Sequence, residues 1–134
     1  MPSGYLLDTN VLSDLLRQPS GGIARQIAAV GESRICTSIV VAGELRFGAA
    51  KSGSARLGER VESLLQLLQV HALADDADLH YGRIRDELGR QGTPIGPNDL
   101  WIAAHALALD MVLVTDNVRE FTRIPGLPLE NWRS

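Results

Sequence analysis

Two aspartates in this sequence, Asp8 and Asp116, each follow a short apolar run of strand-forming residues, at 5–7 and at 112–114. In an open parallel α/β sheet, ligands bind beyond the carboxyl ends of the strands, at the point where the strand order reverses. If the two strands are neighbours, both carboxylates therefore project into one crevice. The alternative is that each aspartate only caps a helix or shapes a turn after its strand, as Asp commonly does.

Two further acids stand in apolar surroundings. Glu44 lies within the apolar stretch 39–45, where an unpaired buried carboxylate is costly, so we expect it to have a partner or a raised pKa. A salt bridge to an arginine is the purely structural alternative. Asp99 begins the most apolar helical segment, 100–109, which we expect to drive its N-terminus into the interior. Its alternative role is to complement the helix dipole, with Asn98 as the cap.

Together these four acids predict a site for a divalent cation. Carboxylates that converge repel one another and raise each other's pKa, and a cation removes that repulsion. Ligation by oxygen alone favours Mg²⁺, with Mn²⁺ as a substitute, over zinc, because the chain has no cluster of cysteine and histidine. Mg²⁺ held by a few carboxylates is the arrangement used for phosphoryl chemistry.

Short apolar runs alternate with helical patterns along the chain. Strands are predicted near 5–7, 34–37, 70–73, 111–114 and 127–131, and helices fill the intervals. The first helix is predicted to run to about Arg17, with Thr9 as its cap. This alternation predicts an α/β fold with a parallel sheet and helices on both faces. A length of 134 residues suits one domain, and we expect it to span 1–134.

Composition indicates a folded, non-membrane protein. Apolar residues make up 45% and charged residues 22% of the chain, and no apolar run is long enough to span a bilayer. The single cysteine, Cys36, and the lack of a signal-peptide pattern fit a reducing, cytoplasmic location. The formal net charge is −3, yet four carboxylates in one metal site would leave the remainder nearly neutral. Every basic residue except Lys51 is arginine, which suits phosphate contacts.

Other acidic-site families fit less well. The acidic segment 76–87 has the acids of an EF-hand loop, but Tyr81 stands where that loop requires glycine. A response-regulator phosphoacceptor needs a lysine after a late strand, whereas Lys51 lies in a mid-chain loop. A haloacid-dehalogenase-type phosphatase needs Asp-x-Asp, whereas residues 8–10 read Asp-Thr-Asn. A non-catalytic module that keeps its acids for metal-dependent binding stays open as an alternative.

Four segments of the chain look like the four acidic motifs of PIN-domain ribonucleases. In order they are Leu7-Asp8-Thr9-Asn10-Val11-Leu12, Gly43-Glu44-Leu45, Asn98-Asp99-Leu100-Trp101-Ile102-Ala103-Ala104-His105-Ala106 and Val114-Thr115-Asp116-Asn117-Val118-Arg119-Glu120-Phe121. The later segment, with Gly126-Leu127 and Leu129-Glu130-Asn131-Trp132, resembles the VapC toxins of bacterial type II toxin–antitoxin modules. The resemblance covers essentially the whole chain.

The resemblance implies a three-layer α/β/α PIN-like domain with a short central parallel sheet, forming a homodimer. It implies Mg²⁺-dependent endoribonuclease activity on RNA of the tRNA or rRNA class. It also implies a VapB-type antitoxin that blocks the active site. Because water is the expected nucleophile, the products should carry 5′-phosphate and 3′-hydroxyl ends.

Site roles follow from the matching motifs. Asp8, Glu44, Asp99 and Asp116 would form the catalytic acidic site, and Asp8, Asp99 and Asp116 would hold the metal. Glu44 would orient or deprotonate the attacking water. The residues expected to orient these carboxylates are Thr9, Asn10, Thr115 and Asn117.

Overall fold

All five strands of the sheet run parallel, and helices lie in the connections between them. The computed structural model describes residues 2–133. The elements in chain order are β1 (Tyr5–Leu7), α1 (Thr9–Arg17), α2 (Gly22–Val30), β2 (Ile35–Ser38), α3 (Ile39–Ser52), α4 (Ala55–Leu67), β3 (Gln69–His71), α5 (Ala77–Arg90), α6 (Pro97–Leu109), β4 (Val112–Val114), α7 (Val118–Phe121) and β5 (Leu129–Glu130). A single 3-10 turn, Glu32–Arg34, precedes β2.

The strand order in the sheet is β3-β2-β1-β4-β5. From β1 the chain adds β2 and then β3 on one side of the sheet. It then crosses over to add β4 and β5 on the other side of β1. Right-handed crossovers in these two directions place α1 to α4 on one face of the sheet and α5 to α7 on the other. The predicted three-layer α/β/α architecture with a short central parallel sheet is thereby confirmed.

The three middle strands of the sheet, β2, β1 and β4, are deeply buried. Leu6, Leu7, Leu113 and Val114 are all inaccessible to solvent, as expected for strands covered on both faces. Helix α6 is buried nearly all round as well, which matches its unbroken apolar sequence. Within residues 2–133, no helix is long and apolar enough to cross a membrane.

Two helix starts differ from the sequence-based prediction. The carboxylate of Asp8, not Thr9, caps α1 by accepting a hydrogen bond of 2.7 Å from the backbone N–H of Thr9. Gly96, not Asn98, is the cap of α6, because Pro97 occupies the first helical position, where its fixed φ suits the helix. Asn98 therefore lies inside the helix, and its side chain is free to reach another element.

Ser38 connects the sheet to two helices. Its hydroxyl caps α3 by accepting from the backbone N–H of Val40 at 3.1 Å. The same oxygen shares a hydrogen bond of 2.7 Å with Nδ1 of His105 on α6. Both side chains are buried, and burial lowers the pKa of His105, so the imidazole is kept neutral. Ser38 thus fixes α3 and α6, the helices that carry Glu44 and Asp99, to the end of β2.

We expect Ser38→Ala to lower the free energy of unfolding by about 2–3 kcal/mol, because it removes a helix cap and leaves a buried imidazole nitrogen unpaired. The matched control is Ser54→Ala, which removes only the exposed cap of α4, a hydrogen bond of 3.1 Å to the backbone N–H of Leu57. This control should cost about 1 kcal/mol. Urea unfolding of both variants gives the comparison, and equal losses would contradict a special role for Ser38.

Candidate active site

Asp8 lies at the point where the strand order reverses. Strands β1 and β4 are hydrogen-bonded neighbours, which meets the condition for Asp8 and Asp116 to share a crevice, and the backbone N–H of Asp8 donates to the carbonyl of Val114 at 3.0 Å. The carboxylate is 4% exposed and accepts hydrogen bonds from the Thr9 backbone at 2.7 Å and from the Thr115 hydroxyl at 2.8 Å. Burial raises the pKa of Asp8, and these hydrogen bonds partly offset the rise.

Glu44 links three helices at the same edge of the sheet. Its Oε1 accepts a short hydrogen bond of 2.5 Å from the hydroxyl of Thr9 on α1, and its Oε2 accepts one of 3.2 Å from the side-chain amide of Asn98 on α6. The sequence-based alternative of a salt bridge to an arginine is wrong, because both carboxylate oxygens have neutral donors. Neutral donors hold the group in place without cancelling its negative charge.

Asp99 occupies the first turn of α6 and is the most perturbed carboxyl group of the site. Its pKa is raised to about 6, first by burial and then by the negative charges of Asp8, Glu120 and Glu44. A hydrogen bond with Glu120 raises it further. The charge of Glu44 acts on both Asp8 and Asp99, and that of Asp116 acts on Asp8, so these side chains form one interacting group at the carboxyl edge of the sheet.

Asp116 follows β4 and is held at the rim of the site. Its Oδ1 accepts a hydrogen bond of 3.4 Å from the side chain of Asn10, and its Oδ2 accepts one of 2.5 Å from Arg133. The charge of Asp116 also contributes to the raised pKa of Asp8. Asp116, the fourth predicted acid, therefore lies at the same edge of the sheet but is paired with a cation, Arg133.

Three of the four predicted orienting residues contact the predicted acids directly: Thr9, Asn10 and Thr115. Asn117 does not; its backbone N–H donates to the Thr115 hydroxyl at 3.0 Å, and its side chain donates to Glu120 at 2.9 Å.

Sequence reasoning missed Asn98, Glu120 and Arg133. Asn98 and Glu120 stand inside two of the acidic motifs, so their proximity to the predicted acids was a signal. No sequence pattern indicates Arg133, because its contact with Asp116 depends on where the chain returns after β5.

The donor chemistry of the site fits a hard divalent cation. The acids supply only oxygen ligands, and burial and neighbouring negative charges raise the pKa of Asp8 and Asp99, a cost that a bound cation would reduce. Among residues 2–133, however, no three His, Cys, Asp or Glu side chains are gathered into an arrangement that could hold a metal ion. Hydrogen-bond donors restrain Glu44 and Asp116 separately instead.

Residues 5–127 match the family model described as PIN domain. The chain belongs to the PIN domain family. This PIN domain is 40% identical over 129 residues to the tRNA(fMet)-specific endonuclease VapC of Salmonella typhimurium, covering 96% of this chain and 97% of that relative. It is 38% identical over 130 residues to ribonuclease VapC1 of Haemophilus influenzae, with the same two coverages.

Solved structures agree with this assignment. The PIN domain superposes with a TM-score of 0.90 on a chain of VapBC2 from Rickettsia felis, solved bound to a DNA fragment from the promoter. The identity is 33%, covering 96% of this chain and 98% of that one. A chain of DNA-bound VapBC from Salmonella typhimurium gives a TM-score of 0.89 at 38% identity, covering 97% and 98%.

We expect Asp99→Asn to stabilise the metal-free protein at pH 7.5 by about 1 kcal/mol, after allowance for solvent screening and a lost helix-dipole interaction. The raised pKa means that the folded state binds the Asp99 proton more tightly than the unfolded state does. The ionised form therefore costs stability above pH 6, and this cost disappears as the pH falls towards 4.

Thermal unfolding in EDTA across pH 4–8 measures this effect. Asp86→Asn is the control, because Asp86 is an exposed acid of α5 paired with Arg90. An Asp99→Asn variant that is no more stable than the unsubstituted chain at pH 7.5 would show that the ionised Asp99 carboxylate does not destabilise the folded state.

Proposed function

We propose that this PIN domain, residues 1–134, is a Mg²⁺-dependent endoribonuclease that serves as the VapC toxin of a VapBC-type toxin–antitoxin module, with Mn²⁺ as a substitute metal. The observation that carries the proposal is the clustering of acids from separate elements at the strand-order reversal, where Asp99 has a pKa raised to about 6. The VapC names of relatives at 38–40% identity support the same function.

In this proposal Asp8, Asp99 and Asp116 hold the cation. When bound, the cation supplies Lewis-acid activation of a water molecule and offsets charge on the scissile phosphate. Asp8 is the most rigid of the three, because two short hydrogen bonds fix its carboxylate on the buried end of β1. Asp99 and Asp116 approach it from α6 and from the end of β4.

Glu44 accepts the proton of the attacking water. The hydroxyl of Thr9 and the amide of Asn98 hold its two oxygens, so the carboxylate faces a fixed direction without a neutralising partner. The water oxygen forms a bond to phosphorus while the bond from phosphorus to the 3′ oxygen breaks. The 3′ oxygen takes a proton from solvent, which leaves 3′-hydroxyl and 5′-phosphate ends.

A VapB-type antitoxin is the proposed protein partner. The solved relatives are VapBC structures, and here an open groove of about 400 Å³ runs beside Glu44 between α1, α3 and α4. Its walls are mostly apolar, and it includes Leu16, Leu45 and Val61. An apolar helix or extended segment in this groove would lie directly against the acidic site and deny RNA access to it.

The remaining features of the proposal are a homodimer in the cytoplasm and a structured RNA substrate of the tRNA or rRNA class. The name of the Salmonella typhimurium relative, a tRNA(fMet)-specific endonuclease, makes tRNA the first substrate to test. Arginine supplies nearly all the positive charge of the chain, which suits bidentate contacts with RNA phosphates.

Incubating the antitoxin-free chain with total bacterial RNA, and separately with purified tRNA and rRNA, tests the proposal. We expect discrete fragments with 5′-phosphate ends in Mg²⁺ or Mn²⁺ and none in EDTA. Asp99→Asn should lower the cleavage rate by at least about 100-fold, because it removes a charge from the reacting centre. Glu62→Gln is the control, since Glu62 is an exposed acid of α4 paired with Arg46, and it should retain activity.

Two outcomes would contradict the proposal. Fragments ending in 2′,3′-cyclic phosphate would show that the RNA 2′-hydroxyl, rather than water, attacks phosphorus. Absence of cleavage by the folded, metal-loaded protein on all three RNA preparations would favour a metal-dependent binding module without turnover.

A further inference from the structure

Arg133 is a cation placed directly at the acidic site. The chain after β5 returns to the site, so that Nη1 of Arg133 lies 2.5 Å from Oδ2 of Asp116 and its Nε lies 3.7 Å from Oδ2 of Asp14 on α1. The Arg133 side chain is 45% exposed, whereas those of Asp116 and Asp14 are 21% and 17% exposed. The hydrogen bond to Asp116 and the charges of both aspartates raise the pKa of Arg133, so it stays protonated.

A divalent cation and Arg133 need the same carboxylate. Both oxygens of Asp116 are occupied in this structure, Oδ1 by the amide of Asn10 and Oδ2 by the guanidinium of Arg133. Each carboxylate oxygen has two lone pairs, so a cation that takes an Asp116 oxygen would share it with one of these donors. It would also stand within a few ångströms of the guanidinium charge, which repels it.

Asp14 offers Arg133 a second position. One Asp14 oxygen bonds Arg17 at 3.2 Å, and the other faces Nε of Arg133. Arg133 therefore already lies within ion-pair distance of both aspartates, so Asp14 can keep the guanidinium paired if Asp116 binds a cation.

We propose that Arg133 is an internal counter-cation that competes with the divalent metal for Asp116 and moves onto Asp14 when the metal binds. The inference rests on the metal dependence in the proposed function. Arg133 neutralises the fourth acid while the site is metal-free, and it weakens metal binding by the free energy of its contact with Asp116. It acts through Asp116 and is a positioning residue rather than a catalytic one.

Binding of Mn²⁺ to the full-length chain without RNA, followed by electron paramagnetic resonance, tests the inference. We expect Arg133→Gln to tighten Mn²⁺ binding about threefold to tenfold, because it removes a competing partly exposed ion pair and a repelling charge. The matched control is Arg17→Gln, which removes the other arginine on Asp14 but does not touch Asp116. It should change the dissociation constant less than about twofold.

A double-mutant cycle locates the competition at Asp116. In an Asp116→Asn background, Arg133→Gln should no longer change Mn²⁺ affinity, since the shared ligand is gone. Unchanged or weaker binding by Arg133→Gln in the native background would overturn the inference. So would an equal gain from Arg17→Gln, which would indicate a general charge effect.

The same titration separates this inference from the proposed function. If the unsubstituted chain and Arg133→Gln both fail to bind Mn²⁺, the metal dependence and the inference are both wrong. If the unsubstituted chain binds Mn²⁺ and loses it on Asp99→Asn, yet Arg133→Gln has no effect, only the inference is wrong.

Discussion

Repulsion among ionised carboxylates at one edge of the sheet is the constraint that the rest of this structure accommodates. Burial, together with the negative charges of Asp8, Glu120 and Glu44, raises the pKa of Asp99 to about 6. A protein that needed only a stable core would not bring these groups together. The fold supports the arrangement through the close pairing of β1 with β4 and the buried packing of α6.

The hydrogen-bond donors that restrain these acids are mostly uncharged. Thr9, Asn98 and Thr115 donate hydrogen bonds that fix carboxylate directions, and none of them cancels a negative charge. The acids thus keep their negative charge while their geometry is held. Arg133 is the exception, because it brings a full positive charge to Asp116 at the rim of the site.

Much of this arrangement could be predicted from local sequence patterns. Apolar runs ending in Asp8 and Asp116 predicted two strands whose acids would meet if the strands were neighbours, and an acid inside an apolar stretch predicted a partner or a raised pKa for Glu44. The two roles considered for Asp8, helix cap and site residue, are not exclusive: its carboxylate caps α1 and lies in the acidic group. Because Asp8 takes the cap, Thr9 is released to bond Glu44.

The missed contacts have a common physical origin. Asn98 meets Glu44 across 54 residues of sequence, and Arg133 meets Asp116 only because the chain turns back after β5. Neither hydrophobic periodicity nor secondary-structure propensity predicts such contacts, since they depend on where whole elements pack. The cap of α6 shows the same limit on a smaller scale, because Pro97 shifted the helix start and turned Asn98 from a cap into a donor.

The hydrogen bond between Thr115 and Asp8 joins residues 107 positions apart, so the site cannot be complete until most of the chain has been synthesised. A ribosome that has translated as far as Asp99 has already made three of the four acids. It has not yet made β4, the strand that pairs with β1 and brings Thr115 to Asp8. The acids therefore reach their final geometry only after β4 has been made and has paired with β1.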